Sequence, residues 1–273
     1  MGPIGVFDSG YGGLTVLREL LKNFPEYDFT YIGDNARSPY GGRSFEVVYK
    51  YTLEAVNALF SKSSQLVILA CNTASAKALR TIQQKNLPLI DPNKRVLGVI
   101  RPMVEVLGNY TKTRTVGVLG TIGTINSNSY PLEINKLFPD IKTVQEACPV
   151  WVPLVENNEC FSEGTEYFVK KNITKIFTQA PDIDTLVLGC THYPLLLPVI
   201  EKYVPENVKI LTQGTIVAES LSNYLIRHPE MDTMCSKNGK CRFYTTENPE
   251  KFNQNATLFL GSEVEASHID LGG

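Results

Sequence analysis

This 273-residue chain lacks strongly unbalanced charge, long apolar runs and a dense set of cysteines, and each absence removes a class of protein. Lys and Arg number 26 against 28 Asp and Glu, a formal net charge of −2. The basic excess of a nucleic-acid binder is missing, so no nucleic-acid partner is expected. The longest apolar runs are strand-sized, well short of the ~20 residues a membrane helix requires, and no membrane partner is expected either. The chain runs straight into IGVF without the basic and apolar segments of a secretion signal, and Val6 stands where myristoylation needs Ser or Thr. Six cysteines are too few for a disulfide scaffold. Two of them, Cys71 and Cys190, end apolar runs, which suits reduced thiols in a cytoplasmic protein. Cofactor fingerprints are absent too: Gly10, Gly12 and Thr15 fail the third position of a dinucleotide loop, and Gly33–Gly42 lacks the G-K-[ST] ending of a phosphate loop.

What remains is an ordinary globular composition, 43% apolar and 20% charged. Short β-branched runs alternate with longer amphipathic stretches, the pattern of parallel sheets wrapped by helices. Strands are expected at 4–7, 29–32, 66–70, 96–99, 115–119, 143–147, 185–188 and 208–211, with helices at 15–24 and 45–62. The chain also repeats itself. IGVFDS (4–9) matches VGVLGT (116–121) at an offset of 112, and the runs ending in Cys71 and Cys190 match at an offset of 119. Two related α/β lobes account for both. Ligands of open α/β sheets bind beyond the carboxyl ends of the strands, so facing lobes would direct Cys71 and Cys190 into one cleft.

Five segments carry the polar chemistry. DSGYGG (8–13) is an anion-friendly turn containing Asp8 and Ser9, or a plain strand-to-helix turn in which one of them caps the helix. GDNARSPYGG (33–42) is a pocket wall offering the Tyr40 hydroxyl and the Gly41 amide, or a surface loop. In ACNTAS (70–75), Cys71 precedes a helix start that would stabilise a thiolate, with Asn72, Thr73 and Ser75 as capping groups; a buried, inert Cys is the other reading. GCTHYP (189–194) repeats that arrangement and adds Thr191 and His192, one of only three histidines. Finally, Asn238-Gly239 in CSKNGKCRFYTTE reads as a β-hairpin turn with Cys235 and Cys241 roughly opposite. Neither C-x-H nor an isolated C-x5-C is a usual zinc spacing, so no metal is expected.

Two thiols, each with a titratable helper, suit several chemistries. A Cys-His hydrolase leaves one thiol unexplained, and a dithiol redox enzyme would normally show C-x-x-C. A two-base isomerase uses both: one sulfur removes a proton from carbon while the other delivers a proton from the opposite face. Asp8 would assist Cys71 and His192 would assist Cys190.

Together FDSGYGGLTVL, YIGDNARSPYGG, ACNTAS, VGVLGTIGTINS, ACPVWVPLVE and LVLGCTHYPLL, spanning residues 7–197 in order, resemble the glutamate racemase family. The resemblance implies a cofactor-independent racemase interconverting L- and D-glutamate and supplying D-glutamate for bacterial peptidoglycan. Cys71 and Cys190 become the catalytic pair, the first taking the α-proton of the D-isomer and the second that of the L-isomer. Asp8 and His192 become their assistants, and Asp8, Ser9, Tyr40, Gly41, Asn72, Thr73, Thr191 and His192 the substrate contacts. Glu156 is a further acid near the site. The implied fold is two Rossmann-like lobes with the active site between them, residues 1–97 and 209–273 forming the first and 98–208 the second. A homodimer is implied as well. The sequence departs from the family after VKIL, where it reads TQGTIVA in place of an acidic residue, and over 232–247.

Overall fold

The computed structural model describes residues 1–272 as two parallel sheets flanked by helices. The first sheet has the order β10-β9-β2-β1-β3-β4, with β1 Ile4–Asp8, β2 Phe29–Gly33, β3 Leu66–Leu69, β4 Arg95–Gly98, β9 Cys241–Thr245 and β10 Ala266–His268. The second has the order β6-β5-β7-β8, with β5 Thr115–Gly120, β6 Lys142–Ala147, β7 Thr185–Gly189 and β8 Lys209–Leu211. Every expected strand is present. The central strands β1, β2, β3, β5 and β7 are buried throughout, as their unbroken apolar runs require of strands covered on both faces. The two expected helices form as Leu14–Asn23 and Phe45–Ser61, the latter capped by Ser44, whose Oγ accepts from the Val47 amide.

The internal repeat is structural. β1 lies beside β3 with Phe7 opposite Leu69, and β5 lies beside β7 with Gly120 opposite Gly189, so each Cys-bearing strand neighbours its lobe's first strand. A single apolar cluster continues from one lobe into the other, from Leu14 and Leu17 to Trp151, Val155 and Tyr193. That shared core holds the carboxyl ends of the two sheets against each other.

Two expectations are corrected. Residues 209–211, assigned above to the first lobe, form β8 and pair with β7, so the chain leaves the second sheet only after Leu211. The segment 235–247 is not a β-hairpin. The Asn238-Gly239 turn exists, with Gly239 at φ +67°, but the flanking residues pair with different strands. Cys235 bridges Gly2, while β9 runs parallel to β2 with Cys241 opposite Phe29. The turn is held by Asp28, whose carboxylate accepts from the Ser236 hydroxyl (2.6 Å), the Asn238 amide side chain (2.6 Å) and the Lys240 backbone (2.9 Å). Satisfying the turn locally frees both flanks to join the parallel sheet, and Cys235 and Cys241 remain free thiols. β9 and β10 extend the first sheet beyond the strands expected from sequence.

Candidate active site

Each of the two paired thiols sits where its strand stops. β3 ends at Leu69 and Cys71 becomes the N-cap of the short helix Asn72–Lys77, its Sγ accepting from the Ala74 amide at 3.4 Å. The cap is thus the thiol itself, not Asn72, Thr73 or Ser75. Its hydrogen is directed to Ser9 Oγ, 3.5 Å away. Burial and then the nearby Asp8 carboxylate push the Cys71 thiol up to about 12, against the lowering pull of Ser9 and the Ala74 amide. Cys71 is therefore a protonated thiol at neutral pH, an acid.

Cys190 follows β7, and its Sγ lies 3.9 Å from His192 Nδ1. On the other side of the ring, His192 Nε2 lies 3.0 Å from Glu156 Oε1. Burial lowers the His192 pKa, but hydrogen bonding to Cys190 and Glu156 outweighs it and raises the group to about 10. His192 is therefore an imidazolium at neutral pH, placed between a carboxylate and a sulfur.

Asp8 has no exposed surface. Burial raises its pKa, opposed by His192 and by hydrogen bonds from the Gly10 and Gly13 amides. Its Oδ1 accepts from the Gly10 amide at 2.9 Å, and its Oδ2 accepts from Thr191 Oγ1 at 3.4 Å. Neither Asp8 nor Ser9 caps the helix at Leu14, which has no side-chain cap. The turn instead brings the lobes together: a Cβ at Gly12 would stand 2.3 Å from Thr191 Oγ1 and 2.4 Å from His192 Nδ1, so only glycine fits. Thr15 Oγ1 donates to the Thr191 carbonyl across the same seam.

A cavity of about 220 Å³ lies between these groups, lined by Ser9, Tyr40, Gly41, Cys71, Asn72, Thr73, Cys190, Thr191 and His192, all expected from sequence. Asp8, also expected as a substrate contact, is the exception: it is fully buried and is not part of the lining. Both thiols are 6% exposed. Tyr40 lines the cavity, but its hydroxyl is committed to the buried Asp34, which also binds Arg37 Nε and Thr246 Oγ1. Sequence reading offered that hydroxyl to the ligand; the structure uses it to fix the loop. Gly41 presses against Thr121, 2.9 Å from a would-be Cβ, and its carbonyl accepts from the Gly123 amide.

Sequence reasoning missed Ser38, Pro39, Gly42, Thr121, Ile122, Pro149, Val152 and Pro153 in the lining. The repeat contained the signal for one of them, because an offset of 112 equates Ser9 with Thr121. Thr121 Oγ1 meets Thr73 Oγ1 at 2.9 Å, joining a hydroxyl of each lobe. Among the described residues no cluster of three or more His, Cys, Asp or Glu is arranged to hold a metal ion, and no helix is long and apolar enough to cross a membrane.

Fold and site together define a class: two-lobed α/β proteins that bring one thiol from each lobe to a small cavity between them. Residues 22–221 match the Asp/Glu/Hydantoin racemase family model, and the chain belongs to that family. A glutamate racemase of Streptococcus gordonii is 40% identical over 275 residues, covering 98% of each chain. Among solved structures, a glutamate racemase isoform from Bacillus anthracis superposes with a TM-score of 0.89 at 36% identity, over 99% of this chain and 98% of that one. A Francisella tularensis glutamate racemase in complex with D-glutamate gives 0.87 at 33%, over 99% and 98%.

Proposed function

We propose that the protein racemises glutamate without a cofactor, by proton transfer between the α-carbon and two cysteines. The observation that carries this reading is the cavity lined by Cys71 and Cys190 from opposite lobes, both thiols nearly buried. With L-glutamate, the Cys190 thiolate takes the α-proton, forming S–H and a planar carbanion. The Cys71 thiol then gives its proton to the opposite face, forming the new C–H bond and leaving a thiolate. The reverse reaction exchanges the two roles. Cys71 at about 12 is suited to begin as the acid, and the His192 imidazolium offsets negative charge on Cys190 when that sulfur acts as the base. On the other face Ser9 serves Cys71 by direct hydrogen bond, while the Asp8 carboxylate favours its protonated form, the form that delivers the proton. Ser9, Asn72, Thr73, Thr121 and Thr191 offer the polar groups that two carboxylates and an ammonium require.

The test is circular dichroism of L- and D-glutamate with purified protein and no added cofactor, with aspartate as the control. Loss of optical activity from both glutamate enantiomers supports the reading, and no loss from either overturns it. One methylene is worth only ~1–3 kcal/mol of discrimination, so slow turnover of aspartate is compatible with it. Supply of D-glutamate for peptidoglycan follows as the physiological proposal, tested by whether depletion of the protein creates a requirement for D-glutamate. The homodimer and cytoplasmic location belong to the same reading, and sedimentation of the purified chain tests the first.

A further inference from the structure

The seam behind the cavity contains a buried polar cluster that the proton transfer does not use. Asn72 Nδ2 donates to Gln213 Oε1 at 2.7 Å, and Gln213 Nε2 donates back to Asn72 Oδ1 at 2.6 Å. Tyr130 Oη donates to the same Asn72 Oδ1 at 2.9 Å and receives from Gln213 Nε2 at 3.1 Å. Asn72, Tyr130 and Gln213 are each at most 2% exposed. They come from different parts of the fold: the helix after β3, the helix Ser129–Leu137 of the second lobe, and the first turn of the helix Gln213–Arg227 that returns the chain to the first lobe. Burying three polar side chains at a lobe junction is costly unless each is paired, and here each is.

We infer that Gln213 and Tyr130 are positioning residues that hold the Asn72 carboxamide in place and couple its orientation toward the substrate to their own. A carboxamide oxygen has two lone pairs, and both on Asn72 are occupied from behind. Its nitrogen has two hydrogens, and one is held by Gln213. What Asn72 retains for the cavity it lines is a single N–H, a donor matched to a carboxylate, and it turns over into an acceptor only if Gln213 and the Tyr130 hydroxyl reverse with it. An unrestrained asparagine would present either end, and the oxygen would repel an anionic ligand. The inference rests on the glutamate reading of the site and adds to it the residues that select an anion at Asn72.

Steady-state racemisation by Gln213→Leu, Asn72→Ala and the double variant tests this. A hydrogen bond to a carboxylate is worth enough that its misalignment raises KM by about ten-fold or more. Because the contact is made to bound substrate and transition state alike, kcat changes less than KM. The distinguishing result is non-additivity: in the Asn72→Ala background, Gln213→Leu raises KM no further. The pair Tyr130→Phe and Tyr130→Phe with Asn72→Ala repeats the cycle by removing one hydroxyl, should the leucine variant not fold. Additive KM effects, or losses confined to kcat and thermal stability, overturn the inference while leaving glutamate racemisation in place. A wild-type protein that does not racemise glutamate overturns the reading of the site and this inference with it.

Discussion

Replacing Glu156 by Gln removes one of the two partners that keep His192 protonated, Cys190 being the other, while preserving the size of the side chain. Glu156 Oε1 lies 3.0 Å from His192 Nε2, and its side chain is 22% exposed against 5% for the histidine. A charged hydrogen bond is worth about 1.5–3 kcal/mol, and partial exposure favours the lower half of that range. At 1.36 kcal/mol per pKa unit, its loss brings His192 from about 10 to about 8.5–9. The bond to Cys190 remains and prevents a return to the ordinary histidine value. Where the imidazolium is required, the alkaline limb of kcat/KM moves down by about one pH unit. The shift must be the same from L- and D-glutamate, because an equilibrium constant of one ties the two kcat/KM values together. The assay is initial-rate circular dichroism from both enantiomers between pH 6 and 10.5. An unchanged alkaline limb with normal folding refutes the claim that Glu156 acts through the charge of His192.

Other consequences are quick to check. Gly12→Ala drives a methyl into Thr191 and His192, and overpacking of this kind costs about 1–3 kcal/mol; activity should fall at least a hundred-fold, whereas Gly164→Ala, outside the cavity lining and with only Ser162 Oγ near its would-be Cβ at 3.7 Å, should retain wild-type rates. Because the folded-state pKa of His192 lies above its unfolded value, the His192 contribution to stability is complete below about pH 6.5 and is lost as pH rises toward about 10; chemical denaturation across that window should show the decline, and Glu156→Gln should flatten it. Asp34→Asn weakens the anchor of Arg37, Tyr40 and Thr246, so the melting temperature should drop and KM rise together, as calorimetry and kinetics would show. Joint replacement of Cys235 and Cys241 by Ser should leave kcat/KM unchanged, since both thiols are free and lie outside the cavity lining.

The legible parts of this protein were those written in local pattern. β-branched runs gave the core strands, and two offsets gave the two lobes, because a parallel strand buried on both faces has little compositional freedom. Cys71 and Cys190 were legible as a pair because a thiol at a strand end is rare and occurs twice. Groups working at a distance were less so. Nothing in the sequence near Tyr40 shows that Asp34 takes its hydroxyl, and nothing near Asn72 points 141 residues along to Gln213. The hairpin failed for a related reason: Asn-Gly correctly marked a turn, but strand partners are chosen by the sheet. Gly2 and β2 lie where the two flanks could pair, and Asp28 satisfies the turn without a ladder.

Exchange of the α-hydrogen in deuterated water, followed separately from each glutamate enantiomer, tests the two-thiol account most directly. With wild-type protein, deuterium should enter the product of inversion from either side. Cys71→Ser and Cys190→Ser should each abolish racemisation, and any residual exchange should be restricted to L-glutamate in the first variant and to D-glutamate in the second. Racemisation at the wild-type rate by either variant, or exchange from both enantiomers with one cysteine gone, would contradict it.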